Sequence, residues 1–361
     1  MGGMSLDLAA DVVELTRQLV DFPSESLQEE ALADAVEAAL RGRDHLEITR
    51  VGNTVVARTT LGRTERVVIA GHLDTVPENG NLPSRLEDGV LHGLGSVDMK
   101  GGVAVGLKLA ATLTATNRDV TYVFYDAEEI AAIHNGLGKL SESHPHLLDA
   151  DFAILMEPSN ALVEAGCQGT MRIEVATTGE RAHTARAWMG SNAIHKTAEI
   201  LDRLNAYEPR KPVIDGLEYH EGLNAVFISG GVAGNVLPDA CTVTVNYRFA
   251  PDRSVEEAEA YLRTFFDGYA VTVTDASPGA LPGLSRPAAK AFLEAVGGEP
   301  APKFGWTDVS RFSALGVPAV NFGPGDPLLA HKAEEHVHIE EIVRCEQQLV
   351  AWLSDASEEA R

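Results

Sequence analysis

Residues 67–74, with the sequence VVIAGHLD, contain the pattern that decides the fold class. Four apolar residues in a row, Val67 to Ala70, predict a short strand that is covered on both faces of a sheet. His72 and Asp74 follow directly, and open α/β sheets assemble their sites at the carboxyl ends of strands. The stretch therefore predicts a buried strand with a functional site at its end.

Short strands and helices alternate around this stretch, as in a layered α/β domain. Two helices are predicted within the first 45 residues, and Ser26 is the expected cap of the second. A further helix is predicted over about residues 100–113, where it opens on Gly101-Gly102. Runs rich in β-formers and bounded by turn residues predict strands at 48–51, 54–58, 120–125 and 152–156.

From about residue 171 the chain changes to strands with alternating apolar residues, such as Met171, Ile173 and Val175. Two amphipathic helices fall among these strands, and the order strand, helix, strand, strand, helix, strand is that of a ferredoxin-like domain. After residue 286 the first pattern returns. The sequence thus predicts a mixed-sheet α/β domain, residues 1–171 plus 286–361, that is interrupted by a small α+β domain, residues 172–285. The two helices of the inserted domain are predicted over residues 192–207 and 255–266.

The composition narrows the classes of partner. The 361 residues contain 29 Lys and Arg against 53 Asp and Glu, a net charge of −24, and nucleic acids and anionic membranes both need a positive surface. No apolar run approaches the ~18 residues of a membrane-spanning helix, and the first residues predict no secretion signal. Cys167, Cys241 and Cys345 are few and widely spaced, so we expect a reducing cytoplasm.

A set of His, Asp and Glu residues follows the predicted strands and includes the adjacent pair Glu128-Glu129. Each of these residues alone is more often a surface charge than a ligand. Together, two imidazoles and three carboxylates can hold two divalent ions that share one Asp, and mixed N and O ligands favour zinc, with cobalt or manganese as alternatives. We expect the carboxylate of Asp74 to accept the second N–H of His72 and orient that ring. The candidate ligands are His72, Asp98, Glu129, Glu157 and His331.

These residues lie in motifs that resemble those of the zinc aminoacylase, acetylornithine deacetylase and carboxypeptidase superfamily. The motifs are GHLDTVP, DMKGG, the EE pair, an EP dipeptide and AHKAEEHV, and the resemblance covers about residues 10–350. Within the superfamily the chain is most similar to the actinobacterial desuccinylases, on segments such as GLGSVDMK, RAHTARAWMGSNAIHK and GGVAGNVLPD. The resemblance implies a zinc-exopeptidase-like catalytic domain with an inserted dimerisation domain, and a cytoplasmic homodimer.

The resemblance also implies the roles of individual residues. His72 and Glu157 would hold one zinc ion and Glu129 and His331 the other, with Asp98 bridging and with cobalt able to replace zinc. Glu128 would be the general base, Asp74 would support the catalytic site, and His183 would reach the site of the partner subunit. Asn235 and Arg248 would contact the substrate, since the planar guanidinium can bind a carboxylate with two hydrogen bonds. Independently of the resemblance, the glycine-rich turn of Gly325 is expected to present its amides to a substrate carboxylate.

The implied reaction is hydrolysis of N-succinyl-LL-2,6-diaminopimelate, an anionic N-acyl amino acid, to succinate and LL-2,6-diaminopimelate in lysine and diaminopimelate biosynthesis. An alternative in the same class is a related N-acyl amino acid deacylase of the acetylornithine deacetylase type, or a metallo-carboxypeptidase. A non-catalytic homologue that keeps its metal for structure is a third alternative, against which the presence of Glu128 argues, because a closed structural zinc site needs no base.

Overall fold

The computed structural model describes residues 5–354, which form two compact units. The first unit contains the chain up to Ala165, residues 282–301 and the chain from Arg311. The second contains residues 166–281 and 302–310. Because the first unit is assembled from three separate segments, its last segment must return to a sheet that the first segment builds.

The strands of residues 5–354 are, in chain order, β1 (Glu47–Val51), β2 (Thr54–Arg58), β3 (Arg66–His72), β4 (Arg85–Glu87), β5 (Val90–His92), β6 (Asp119–Tyr125), β7 (Phe152–Leu155), β8 (Glu164–Ala165), β9 (Gly169–Thr178), β10 (Val213–Ile214), β11 (Leu217–Glu218), β12 (Gly222–Gly230), β13 (Ala240–Phe249), β14 (Ala270–Ser277), β15 (Ala301–Pro302), β16 (Ala319–Asn321) and β17 (His336–His338). The α-helices are α1 (Val12–Val20), α2 (Glu30–Leu40), α3 (Lys100–Thr112), α4 (Gly136–Ser143), α5 (Ala193–Lys196), α6 (Ala198–Asn205), α7 (Val255–Phe265), α8 (Pro287–Val296), α9 (Val309–Ala314) and α10 (Ile339–Leu353).

An eight-stranded mixed sheet in the order β1-β2-β6-β3-β7-β16-β8-β15 forms the centre of the first unit. Strands β6, β3, β7 and β16 run parallel, whereas β1 and β2 add antiparallel pairs at one edge. Every residue of β6 is buried, and so is β3 from Val67 onward, which confirms the strand predicted from the unbroken apolar run.

Helix α3 packs against β3, and its opening glycines permit a close approach to the end of β7. A Cβ atom at Gly102 would lie 2.1 Å from the carbonyl oxygen of Met156, so only glycine fits there. Met156 directly precedes Glu157, and this contact therefore fixes the chain next to a candidate ligand.

A small antiparallel sheet in the order β17-β5-β4 also belongs to the first unit. Leu91 and Val337 face each other in its register and are both buried. Because side chains alternate along a strand, this apolar pair fixes the register and directs the neighbouring residues to the opposite face.

The second unit contains a four-stranded antiparallel sheet in the order β12-β13-β9-β14. Strand, helices, strand, strand, helix, strand is its order along the chain, which confirms the ferredoxin-like arrangement. Burial alternates along β9 as predicted, and Met171, Ile173 and Val175 pack into a core with α6 and α7. Strands β12 and β14 are the edges of this sheet, and β12 has exposed side chains along most of its length.

Two local predictions were wrong. Ser26 does not cap α2, whose N-cap is Glu29; the Ser26 hydroxyl donates to Asp74 instead. The helix predicted over 192–207 is divided at Thr197 into α5 and α6, with Asn192 as the N-cap of α5. The first error arises because helical periodicity does not report that Ser26 has a hydrogen-bond partner elsewhere in the chain.

Among residues 5–354, no helix combines the length and the apolar character that crossing a membrane requires.

Candidate metal centre

Strands β6, β3 and β7 are parallel neighbours whose carboxyl ends meet at one edge of the sheet. His72, the last residue of β3, lies opposite Tyr125, the last residue of β6. Glu129 and Glu157 follow the ends of β6 and β7 within a few residues. Parallel strands thus deliver three of the five candidate ligands to one place, as open α/β sheets do.

Asp98 and His331 reach the same place from loops, before α3 and before β17. His331 has a positive φ of 64°, a conformation that costs a residue with a side chain of order 1 kcal/mol or more. The five side chains form two groups whose potential ligand atoms lie within 4.8 Å of one another: His72, Asp98 and Glu157, and Asp98, Glu129 and His331.

Asp98 belongs to both groups, and its two oxygens face different histidines. Oδ1 lies 3.1 Å from Nε2 of His72, and Oδ2 lies 3.3 Å from Nε2 of His331. Nε2 of His331 also lies 2.9 Å from Oε1 of Glu129. Each oxygen of one carboxylate is therefore directed toward a separate ligand group.

This donor set fits two divalent ions better than one. Two imidazoles and three carboxylates exceed the four ligands of a tetrahedral zinc site, and the division around Asp98 leaves each ion three protein ligands and room for a further ligand. Nitrogen and oxygen donors together suit zinc, cobalt or manganese and disfavour calcium. These residues would hold a dinuclear centre with Asp98 as the shared ligand.

The pKa shifts of His72, Glu129 and His331 also indicate a site that favours positive charge. Hydrogen bonds to Asp98 and Glu129 raise the pKa of His331 to about 10. Burial would lower the pKa of His72, but Asp74 and Asp98 raise it well above its usual value. Burial also raises the pKa of Glu129, against the opposing effect of its hydrogen bond to His331. The carboxylates thus favour positive charge on both imidazoles, and a metal ion supplies such charge.

Asp74 orients the site differently from the prediction. Nδ1 of His72 lies 3.0 Å from the backbone oxygen of Asp74 and 3.5 Å from its carboxylate, so the carbonyl is the nearer acceptor. The carboxylate is buried and accepts the backbone N–H groups of Glu128 at 3.0 Å and Glu129 at 3.1 Å, and the Ser26 hydroxyl at 2.7 Å. Asp74 thus positions the Glu pair more directly than it positions His72.

Glu29 is a positioning residue that the sequence did not reveal. Its fully buried carboxylate accepts the backbone N–H groups of Leu27 at 2.8 Å and Ala127 at 3.2 Å. Ala127 has a positive φ of 55° and directly precedes the Glu pair. Because Glu29 and Asp74 bind successive amides, they hold the turn from Ala127 to Glu129 in place. Glu29 is the N-cap residue of α2, but its side chain forms no capping hydrogen bond to that helix.

Glu335 acts in the same way on the loop that carries Asp98. Its buried Oε1 accepts the backbone N–H groups of Val97 at 2.9 Å and Asp98 at 3.1 Å, and its own carbonyl accepts from Gly93. Burial raises the pKa of Glu335 to about 7, and the two amide contacts offset part of that cost. The last motif, which supplies His331, therefore also fixes the loop of Asp98.

The second unit holds three of the predicted substrate and catalytic residues. His183 and Asn235 are exposed neighbours, since Thr184 N–H donates to the carbonyl of Asn235 at 3.0 Å. Arg248 is half-buried on β13, and burial followed by the charge of Arg172 lowers its pKa. Within residues 5–354 the guanidinium of Arg248 forms no hydrogen bond or ion pair.

Gly325 lies in the first unit at a φ of 97°, where a side chain would be strained. Its amide is expected to face a substrate carboxylate, but it donates to Oε2 of Glu341 at 2.7 Å in the structure. The amide thus already has a carboxylate partner within the chain.

Cys167 is buried, and burial raises the pKa of its thiol to about 11. A thiol that is largely protonated at neutral pH is a poor nucleophile.

Comparison with known proteins identifies the sequence family. The group described as Peptidase family M20/M25/M40 matches residues 68–355. A Mycobacterium tuberculosis protein provisionally named succinyl-diaminopimelate desuccinylase is 58% identical, over 92% of this chain and 95% of its own. The succinyl-diaminopimelate desuccinylase of Corynebacterium glutamicum is 48% identical, over 97% of this chain and 98% of its own.

Solved structures share the fold. A tripeptidase from Staphylococcus aureus superposes with a TM-score of 0.79 at 20% identity, over 97% of this chain and 98% of its own. A Bacillus subtilis protein described as a dinuclear metal-binding peptidase superposes with a TM-score of 0.70 at 18% identity, over 94% of this chain and 96% of its own.

Proposed function

This chain belongs to peptidase family M20/M25/M40, and from that premise we propose that it is a metal-dependent amidohydrolase that cleaves N-succinyl-LL-2,6-diaminopimelate to succinate and LL-2,6-diaminopimelate. The observation that carries this proposal is the division of Asp98 between two ligand groups, one with His72 and Glu157 and one with Glu129 and His331. The desuccinylases that share about half or more of its residues support the choice of substrate.

Two zinc ions at these groups would activate a water molecule and polarise the scissile amide carbonyl. Glu128 is proposed as the group that takes the proton of the attacking water and passes it to the leaving amine. Its backbone is fixed by Asp74 next to the proposed ligand Glu129, so base and ligand share one turn. That arrangement holds the proposed base directly beside a proposed ligand in the chain.

His183 is proposed to stabilise the oxyanion of the tetrahedral intermediate. Its Nδ1 accepts the backbone N–H of Ala185 at 3.0 Å, which assigns the proton of the neutral ring to Nε2. An exposed Nε2–H is a donor of the kind that stabilises a developing negative charge. The hydrogen bond from Ala185 thus favours the tautomer of His183 whose Nε2–H can donate to the oxyanion.

Arg248 is proposed to bind a substrate carboxylate, with Asn235 as a further contact. A half-buried guanidinium without a carboxylate partner among the described residues is costly unless an anion completes it. Arginine suits this role because its planar fork can bind a carboxylate with two hydrogen bonds.

We propose a homodimer formed through the second unit, in which His183 serves the site of the other subunit. Strand β12 is an edge strand, and its exposed side chains include Val226, Phe227 and Ile228, which are 45%, 72% and 53% exposed. An unprotected apolar edge of this kind normally pairs with another chain. A two-fold axis through such an edge is the simplest closed arrangement.

A cytoplasmic location is proposed from the cysteines. Cys167, Cys241 and Cys345 are buried and unpaired thiols, which is typical of proteins of a reducing compartment.

A panel of substrates tests the proposed activity. The purified protein with zinc is assayed on N-succinyl-LL-2,6-diaminopimelate, N-acetylornithine and a dipeptide, with Glu128→Gln protein as the control for contaminating hydrolases. We expect the highest kcat/KM on the succinylated substrate. A higher kcat/KM on N-acetylornithine or the dipeptide would favour the deacetylase or carboxypeptidase alternative, and no hydrolysis of any member would contradict an enzymatic role.

A further inference from the structure

A second group of histidines lies on the outward face of the small sheet β17-β5-β4. His92 and His336 face each other across β5 and β17, and His338 lies two residues farther along the same face of β17. The buried pair Leu91 and Val337 fixes this register from the opposite face. The three imidazoles, here called the histidine cluster, are therefore held on one surface.

His92 and His336 occupy the kind of cross-strand position in which side chains come closest. The backbone bonds from Gly93 N–H to Glu335 and from Ile339 N–H to Gly89 flank the pairing. Bonded and non-bonded pairs alternate in an antiparallel ladder, so His92 and His336 form a non-bonded pair with Cα atoms about 4.5 Å apart. Their ring centroids are 5.2 Å apart, and those of His336 and His338 are 6.1 Å apart.

The hydrogen bond of His336 is of the type that metal-bound histidines make. Its Nδ1 lies 2.7 Å from the backbone oxygen of Glu334 and donates to it, which leaves Nε2 as the unprotonated nitrogen of the neutral ring. Ligand histidines generally donate their other ring N–H to a carbonyl or carboxylate, which fixes the ring orientation. Within residues 5–354, none of the three rings forms an ion pair with a carboxylate, so no acidic side chain accounts for their grouping.

We propose that the histidine cluster is a third metal site, separate from the candidate metal centre, that takes a divalent transition-metal ion with a preference for imidazole, such as Zn²⁺, Ni²⁺ or Cu²⁺. His92 and His336 supply the primary pair of nitrogens, and His338 supplies the third after a change of side-chain rotamer. Water completes the coordination, since the rings are exposed or half-buried.

The position of the cluster connects it to the candidate metal centre. His92 lies on the strand that leads through Gly93 to the loop of Asp98, and His336 directly follows Glu335, which binds that loop. An ion bound by both histidines joins the two segments that Glu335 already links. Binding of a third ion is therefore expected to raise the thermal stability of the metal-loaded protein.

Zinc stoichiometry tests this site. Full-length protein is dialysed to equilibrium against a series of free zinc concentrations, and bound zinc is measured by elemental analysis together with Tm. Wild-type protein is expected to bind one more equivalent than the variant His92→Gln/His336→Gln and to gain in Tm as that equivalent binds. The comparison measures bound zinc and Tm rather than turnover, so its outcome is independent of the proposed activity.

His144 and His146 provide a matched control, because their rings are also 6.1 Å apart but lie outside the small sheet. The variant His144→Gln/His146→Gln should retain the additional equivalent. The variant His338→Gln changes an exposed ring and leaves the half-buried rings in place. Its affinity for the additional zinc ion should be at least tenfold lower than that of the wild type. Equal zinc content in wild type and His92→Gln/His336→Gln, or an equal loss in the control variant, would overturn the proposal.

Discussion

The carboxylate of Asp74 accepts the backbone N–H of Glu128 at 3.0 Å, across 54 residues of sequence. Its other oxygen accepts the next amide, that of Glu129, at 3.1 Å. One buried charge thus orients the turn that carries both the proposed base and a proposed ligand. This contact explains how two adjacent glutamates can have different roles without relying on their own side chains for position.

Replacement of Asp74 by Asn should disturb that turn. An amide side chain has one acceptor oxygen, so one of the two backbone N–H groups loses its partner, at a cost of about 1–3 kcal/mol in the free energy of unfolding. We also expect kcat to fall, measured alongside urea unfolding. Ser26→Ala removes only the third contact of Asp74 and should have the smaller effect on both; an equal effect would mean that the two amide contacts are unimportant.

Individual replacement of the two glutamates of the turn should have different effects on metal content and kcat. Glu128→Gln preserves shape but removes the base, so metal content should remain while kcat falls by about 10²–10⁴. Glu129→Gln should lose bound metal, because a neutral amide is a weak ligand for zinc. Elemental analysis and kcat on the same preparations check both, and the opposite pattern would exchange the two roles.

The candidate metal centre should bind two ions in a protein whose histidine cluster has been removed by His92→Gln/His336→Gln. Five donors around one shared carboxylate cannot all be used by one tetrahedral ion. Elemental analysis at saturating zinc should approach two equivalents, and cobalt should support activity after removal of zinc. A limit of one equivalent would contradict the bridging role of Asp98.

Arg248→Lys should reduce kcat/KM on the succinylated substrate, because lysine keeps the charge but lacks the planar fork. The loss should be smaller on an N-acyl amino acid that lacks the matched carboxylate. Steady-state kinetics on the two substrates give the comparison, and Arg172→Lys, in the neighbouring strand, is the control. Equal losses on both substrates would assign Arg248 a structural role.

Mixed dimers test the proposal that His183 acts on the partner subunit. His183→Ala and Glu128→Ala should each be inactive alone. After co-expression at equal ratio, half of the dimers contain one of each, and each such dimer has one complete site, so activity should return to roughly a quarter of wild type. Verified heterodimers without recovered activity would show that His183 serves its own subunit.

The sequence predicted those parts of the fold that depend on local period. The apolar run of Val67 to Ala70 and the alternation from Met171 to Val175 each reflect the burial of their own strand, so both strands lie where expected. Three of the five candidate ligands come together because their motifs lie at strand ends, which the topology gathers at one edge, whereas Asp98 and His331 arrive on loops.

The contacts that position those ligands were not accessible from the sequence. Ser26 and Glu29 bind groups 48 and 98 residues away, and Glu335 binds an amide 237 residues away. Such contacts depend on tertiary structure, and neither periodicity nor capping preference contains that information. The nearer acceptor for His72 is the carbonyl of Asp74 rather than its carboxylate, which accepts the distant amides of Glu128 and Glu129.

The three-segment construction of the first unit has a consequence for the newly made chain. At about 5–20 residues per second, His331 leaves the ribosome roughly 10–35 seconds after Glu157. During that interval His72, Asp98 and Glu157 are already available as one complete ligand group, whereas the group of Glu129 still lacks its imidazole. Both segments of the second unit, residues 166–281 and 302–310, are made in the same interval. A nascent chain thus has the ligands for a first ion, and all of its second unit, before it has those for a second ion.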